Sequence, residues 1–242
     1  LVDRDGNIVF STTFDYAHTP LDLMIYKMDN SYYVLKDMDP KLRKYGEAIV
    51  KEFGMKERFF HIEFFREGDD YIAIEYNNRP AGGFTIDVYN FAHSLDLYRG
   101  YAAIVAGEEF PASEFEPQYC LATSRRANAH YVYSEEDLID KYSQQFKVKK
   151  IMPAAFAELQ GDYLYMLTTP SRQEMDQMIK DFGQRQAWET IGLRKFTPLV
   201  LLFFIRNTAD WNKSRTIFEV LFDMSPGFLN KIVLRWVGRN KK

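Results

Sequence analysis

One cysteine, Cys120, stands in the 242 residues, so no internal disulfide can form and a reducing, cytoplasmic setting is expected. Its neighbours Tyr119, Leu121 and Ala122 suit a small core residue better than a catalytic thiol. The four histidines, His18, His61, His93 and His130, show no zinc spacing. There is no internal repeat, no low-complexity tract and no apolar run approaching the ~20 residues that span a bilayer. Positive charge is not in excess either. A net charge of -3 and a pI of about 5.9 argue against a nucleic-acid partner for the whole chain. What is abundant is apolar and aromatic: 46% hydrophobic residues, with 20 Phe and 16 Tyr. That is ample core for one large domain or two small ones.

Polar residues embedded in this apolar background carry the chemistry. His61-Ile62-Glu63-Phe64-Phe65 and Tyr71-Ile72-Ala73-Ile74-Glu75-Tyr76-Asn77 read as two strands joined by the turn residues Gly68, Asp69 and Asp70. Alternation places His61, Glu63 and Phe65 on one face, and Ala73, Glu75, Asn77 and Arg79 together on one face. A hairpin folded about Asp69 sets Glu63 opposite Glu75 and His61 opposite Asn77. Like charges so placed repel unless a cation lies between them. Two carboxylates and an amide oxygen on a rigid sheet suit Mg²⁺, with coordination positions left for phosphate oxygens. Arg79 can then grip phosphate with two parallel hydrogen bonds. The competing reading of the same spacing is an ordinary solvated face with Arg66 and Arg79 as counterions.

Downstream, Pro80-Ala81-Gly82-Gly83 is a tight loop that exposes backbone. A helix should follow it, with apolar positions Val88, Phe91, Ala92, Leu95 and Tyr98. Glycines ahead of a helix start favour an anion. The order is therefore acidic metal ligands, a basic phosphate clamp and an anion loop.

The string Glu63…Glu75-Tyr76-Asn77-Asn78-Arg79-Pro80-Ala81-Gly82-Gly83 resembles the metal-binding half of the ATP-grasp superfamily, in its carboxylate-amine ligase branch. The resemblance covers about residues 1 to 110, and less specifically about 180. It implies an α+β fold, the C-terminal catalytic lobe of an ATP-grasp domain, with an antiparallel sheet and helices packed on one face. It also implies ATP and Mg²⁺ (or Mn²⁺), with Glu63, Glu75 and Asn77 as metal ligands and Arg79 on the transferred phosphoryl group. Gly82 and Gly83 would lie beside the acid substrate. Phe65 and His61 would line the nucleotide pocket, although His61 reads equally well as a structural strand histidine. The partners implied are a small carboxylate and an amine, joined through an acyl phosphate. Asp3-Arg4-Asp5-Gly6-Asn7-Ile8-Val9-Phe10 resembles the family's central β-turn-β.

The family's two phosphate-binding lysines, Gly-rich lid and acidic hinge would lie upstream of Leu1. The expectation is thus a C-terminal part of a longer enzyme that would not hold ATP tightly alone. A non-catalytic nucleotide- or metal-binding module and a carboxylate-pair hydrolase are the alternatives.

Three segments are expected: the lobe over 1–110, a β-containing closing segment over 111–184, and a basic, apolar-helical appendage over 185–242. Within the first, Asp39-Pro40 opens a helix with Leu42, Tyr45, Ile49 and Phe53 on one face, ending at Gly54. Ser134 and Ser171 open further helices in capping-box fashion, the second ending at Gly183. Residues 118–124 and 163–167 read as strands. Arg125-Arg126 fits a substrate carboxylate or plain surface charge. The last segment holds 11 basic and 4 acidic residues, which leaves 20 basic and 30 acidic before it. That change of sign marks a boundary. A packing appendage, a membrane-surface or partner helix pair, and a frameshifted or fused tail all fit it.

Overall fold

The structure, a computed structural model, describes residues 1–186 apart from 27, 112 and 114. The chain divides into two compact units, Leu1–Gln184 and Arg185–Lys242. The appendage expected over 185–242 lies, beyond 186, outside the described residues.

The first unit is a mixture of helices and antiparallel sheet. In chain order its elements are β1 (Phe14–Tyr16), α1 (Pro20–Tyr26), β2 (Ser31–Val34), α2 (Pro40–Phe53), β3 (His61–Glu67), β4 (Asp70–Asn77), α3 (Thr85–His93) and α4 (Leu97–Ala106). Then come β5 (Tyr119–Arg125), α5 (Glu135–Lys141), β6 (Phe146–Ile151), α6 (Ala154–Gln160), β7 (Tyr163–Thr169) and α7 (Arg172–Gly183). A five-stranded sheet runs in the order β1-β2-β5-β7-β6, and every pairing in it is antiparallel. Strands β1 and β2 from 1–110 lie side by side and β2 pairs with β5, the first of the three strands from 111–184, so the two segments share one sheet. The hairpin β3-β4 is a separate two-stranded sheet.

Helices cover both faces of the large sheet, not one as expected. Ile86, Val88, Tyr89 and Ala92 of α3 pack against Tyr32, Val34, Cys120, Ala122, Leu164 and Met166. Leu138 of α5 and Met175, Met178 and Phe182 of α7 pack on Tyr33, Leu121, Tyr165 and Leu167 across the sheet. The reason lies in the strands themselves. Cys120-Leu121-Ala122 and Leu164-Tyr165-Met166-Leu167 are continuous apolar runs, so both faces need cover.

Helix α2 forms as its signals require. The Asp39 side chain accepts from the Lys41 amide at 2.7 Å, Pro40 sits in the first turn, and Gly54 closes the helix at φ 61°. It braces the hairpin from behind: Phe53 stacks on Tyr76 at 3.9 Å between ring centroids, and Tyr45 donates to Asp70 at 3.0 Å. The single helix expected through Val88 and Tyr98 is instead two. Ser94 takes a left-handed conformation (φ 50°), and the Asn90 side chain accepts from the Leu97 amide, so α3 stops and α4 starts afresh at its cap Asp96. The capping box at Ser134 is complete. At Ser171 only half forms, because Glu174 accepts from Thr169 and Gln145 instead. Gly183 is the last residue of α7 and not the residue beyond it.

Candidate functional site

The hairpin loop is the two residues Gly68 and Asp69, with positive φ (59°) at the glycine alone, the pattern of a type II′ turn. Such a loop pairs Glu67 with Asp70 and Phe64 with Ala73. Continued unbroken, that register would put Ile74 opposite Glu63 and turn Glu75 to the other face. A bulge intervenes: the register shifts between Glu63 and Phe64, and Ile74 is the extra residue. Beyond it Glu63 faces Glu75, Ile62 faces Tyr76 and His61 faces Asn77. The expected pairing of the carboxylates is therefore present, but Ala73 leaves their face and joins the side braced by α2.

The face away from α2 thus carries His61, Glu63, Phe65, Ile72, Glu75 and Asn77. Glu63 is partly exposed and Glu75 exposed. His61 Nε2 stands 3.7 Å from a Glu63 carboxylate oxygen. Burial lowers the His61 pKa, Glu63 and Glu75 pull it back, and Arg79 pushes it down again. The imidazole is consequently neutral at pH 7. Phe14 of β1 stacks on His61 at 6.2 Å, and burial, with the Glu63 charge adding to it, raises the pKa of the neighbouring Tyr16 hydroxyl. This aromatic corner escaped the sequence reading. Its one signal, the alternation Phe14-Asp15-Tyr16, spans only three residues.

Arg79 is exposed, and its guanidinium donates to the Pro80 carbonyl at 2.9 Å. Phe65 is 64% exposed and pairs across the strands with Ile72, itself 49% exposed, so an apolar shelf adjoins the carboxylates. The Gly82-Gly83 loop runs directly into α3. Gly83 has φ 66°, and the buried Thr85 hydroxyl donates to the Gly82 carbonyl at 2.5 Å, which fixes the turn.

The arrangement fits a hard divalent cation shared with a second oxygen donor. Among the described residues no three His, Cys, Asp or Glu side chains gather to enclose a metal ion. Two carboxylates and one amide leave most of an octahedral shell for water or phosphate oxygens, which Mg²⁺ prefers. The Asn77 amide nitrogen and His61 Nδ1 are buried without a hydrogen-bond partner. Turning the Asn77 amide presents its oxygen at that same place.

Other sequence candidates fall elsewhere. Arg125 is buried, donates to the Tyr133 carbonyl at 2.7 Å and stacks on Tyr131 at 3.7 Å, so it is a structural residue. Arg126 donates to the carbonyls of Glu158 and Met28. Cys120 is fully buried in β5, and burial pushes its thiol far above the ordinary range, which removes it as a nucleophile. No helix among the described residues is long and apolar enough to cross a membrane.

No protein-family model matches the chain, and no curated protein matches it. Among solved structures, phosphoribosylglycinamide synthetase from Anaerococcus prevotii is similar, with a TM-score of 0.49 and 10% identity, over 74% of this chain and 50% of that one. The chain spans about half the length of that structure.

Proposed function

We propose that the chain is the catalytic lobe of an ATP-grasp ligase that joins a small carboxylic acid to an amine through an acyl phosphate. The observation that carries this reading is the pairing of Glu63 with Glu75 across a bulge that α2 braces from behind. Repelling carboxylates persist on a rigid surface where a ligand repays their approach.

Glu63, Glu75 and Asn77 would hold Mg²⁺ or Mn²⁺, which would supply positive charge for the phosphate tail of ATP. Arg79, which donates to the Pro80 carbonyl, would bind two oxygens of the transferring phosphoryl group at once with its planar fork. Neutral His61 stands behind Glu63 and adds no positive charge that would compete with the cation. Phe65 and Ile72 offer apolar cover to the adenine. The Gly82-Gly83 loop, held by Thr85, brings backbone amides to the acid. Positioning and electrostatics suffice for such chemistry, so no side-chain nucleophile is required.

Phosphate release from ATP tests this, on a protein that joins this lobe to the phosphate-binding lysines and lid the reading calls for, in the presence of Mg²⁺, pooled carboxylic acids and pooled amines. The reading expects turnover that depends on an acid, and a hydroxamate when hydroxylamine replaces the amine. Glu63→Gln should abolish both. Cation binding without any acid-dependent phosphate release would leave only a non-catalytic module.

A further inference from the structure

Cations on β6 are treated very differently by their surroundings. Lys149 is fully committed: both oxygens of Glu135 accept from it at 2.6 and 2.7 Å, and it lies over Tyr163 at 4.2 Å. Its neighbour Lys150 points to the other face and has no carboxylate partner among the described residues. Its ammonium is held instead over the ring of Phe84, at 5.6 Å from the centroid. A cation on an aromatic face keeps its charge and its three donors available at the ring's edge. Phe84 follows Gly83 directly, so the ring that carries this charge belongs to the residue next to the glycine loop.

The loop is open there. A Cβ at Gly82 would meet nothing within 4 Å, and one at Gly83 would lie 3.8 Å from the Gln160 amide oxygen. Gln160 is the last residue of α6, and its position is set by Gly161, whose φ of 91° and 2.7 Å approach of the Ser124 hydroxyl to a would-be Cβ admit no side chain. Lys150, through the Phe84 ring, and Gln160, through Gly83, therefore both neighbour the segment 82–84, whose two glycines are exposed.

We propose that Lys150 and Gln160 seat an oxyanion of the substrate at the Gly82-Gly83 loop, a carboxylate or a phosphate, and that Lys150 sets the preference for an anionic acid. This rests on the ligase reading for its meaning, but the binding can be measured without turnover. Two contributions account for it: the ammonium supplies charge-assisted hydrogen bonds, and the Gln160 amide, turned so that its nitrogen rather than its oxygen faces the loop, adds a neutral donor.

The test is a titration of the isotope-labelled full chain with succinate and, separately, with inorganic phosphate, followed at the backbone amides of Gly82, Gly83 and Phe84. Saturable shifts with either anion are expected. Succinate alone identifies a carboxylate seat and phosphate alone a phosphate seat. Lys150→Met should weaken binding by about tenfold or more, Lys150→Arg should restore most of it, and Lys180→Met on the opposite helix layer should change nothing. Absence of saturable shifts with both anions overturns the proposal, as does equal binding by Lys150→Met. A Mg²⁺ titration of the same sample, read at Glu63 and Glu75, keeps the two ideas separate. Cation binding without anion binding sinks only this seat, and the converse sinks only the metal reading.

Discussion

Replacing Glu75 with Gln should change the sign of its effect when Mg²⁺ is added. Directly opposed residues of an antiparallel pair hold their side chains about 5 Å apart, and two unit charges at that distance repel by about 0.8 kcal/mol in water and about 3 kcal/mol at an intermediate dielectric. Glu63 is 37% exposed and Glu75 more so, which places the pair toward the water-like end, at about 1 kcal/mol. In EDTA, Glu75→Gln should therefore stabilise the hairpin and slow exchange of its amide hydrogens by about fivefold. With Mg²⁺ at about ten times its dissociation constant, the native pair gains about 1.4 kcal/mol by linkage and the variant little. The order then inverts. Amide exchange of β3 and β4, measured in EDTA and in Mg²⁺, gives both halves of the comparison. If the variant is the less stable in EDTA, or Mg²⁺ protects both proteins equally, the repulsion-and-cation argument fails.

Asp181 is 2% exposed and accepts from Lys141 at 2.6 Å, Tyr142 at 2.5 Å and Gln177 at 2.8 Å. Asp181→Asn should cost about 1–3 kcal/mol in urea unfolding at pH 7. Burial raises the pKa of Asp181, but the three donors outweigh it and leave the folded value below the unfolded one. Its contribution is then present above the unfolded value near ~4 and lost as pH falls through the folded value, so the variant should show a shallower acid decline. Gly161→Ala meets both a left-handed φ and the Ser124 hydroxyl, and should lower stability by at least about 1 kcal/mol in the same assay. Cys120 should resist a thiol reagent in the folded protein and react only at the unfolding rate; prompt labelling would contradict its burial.

Elements with local punctuation were legible from the amino acids. Asp39-Pro40 and Gly54 bound α2 to the residue, and Ser134 opens α5, because caps are local chemistry. Strand β7 was visible as an apolar run. Strand β2 was not: Ser31-Tyr32-Tyr33-Val34 is buried at every position, so no period of two distinguishes its faces. The break between α3 and α4 was hidden for another reason. The apolar positions continue in helical phase across Ser94, and only the Asn90 side chain, by capping the next helix, shows that the chain turns. The candidate ligands were read as residues that share a face. Phe14 and Tyr16 beside them, like Lys150 and Gln160 beside Phe84 and Gly83, come from distant segments and are visible only in the folded chain.

The bulge shows most clearly how parity and pairing can part company. Alternation along β4 assigns Ala73, Glu75 and Asn77 to one face, and the observed two-residue loop would then place that face opposite the one bearing Glu63. With Ile74 present, the carboxylates meet only because it bulges out of the ladder. Removing it would leave Phe64 opposite Ala73 and Glu63 opposite Glu75 in a regular ladder, so the extra residue is not needed to bring the acids together. Its effect is to bend the strand and increase local twist at the carboxylates, between the Asn77 end near His61 and the exposed Phe65–Ile72 shelf. A hairpin selected only for stability has no use for that interruption, since it forfeits ladder hydrogen bonds beside two like charges. On the proposed ligase reading, that interruption aims two acids and an amide at one cation beside the exposed Phe65–Ile72 pair.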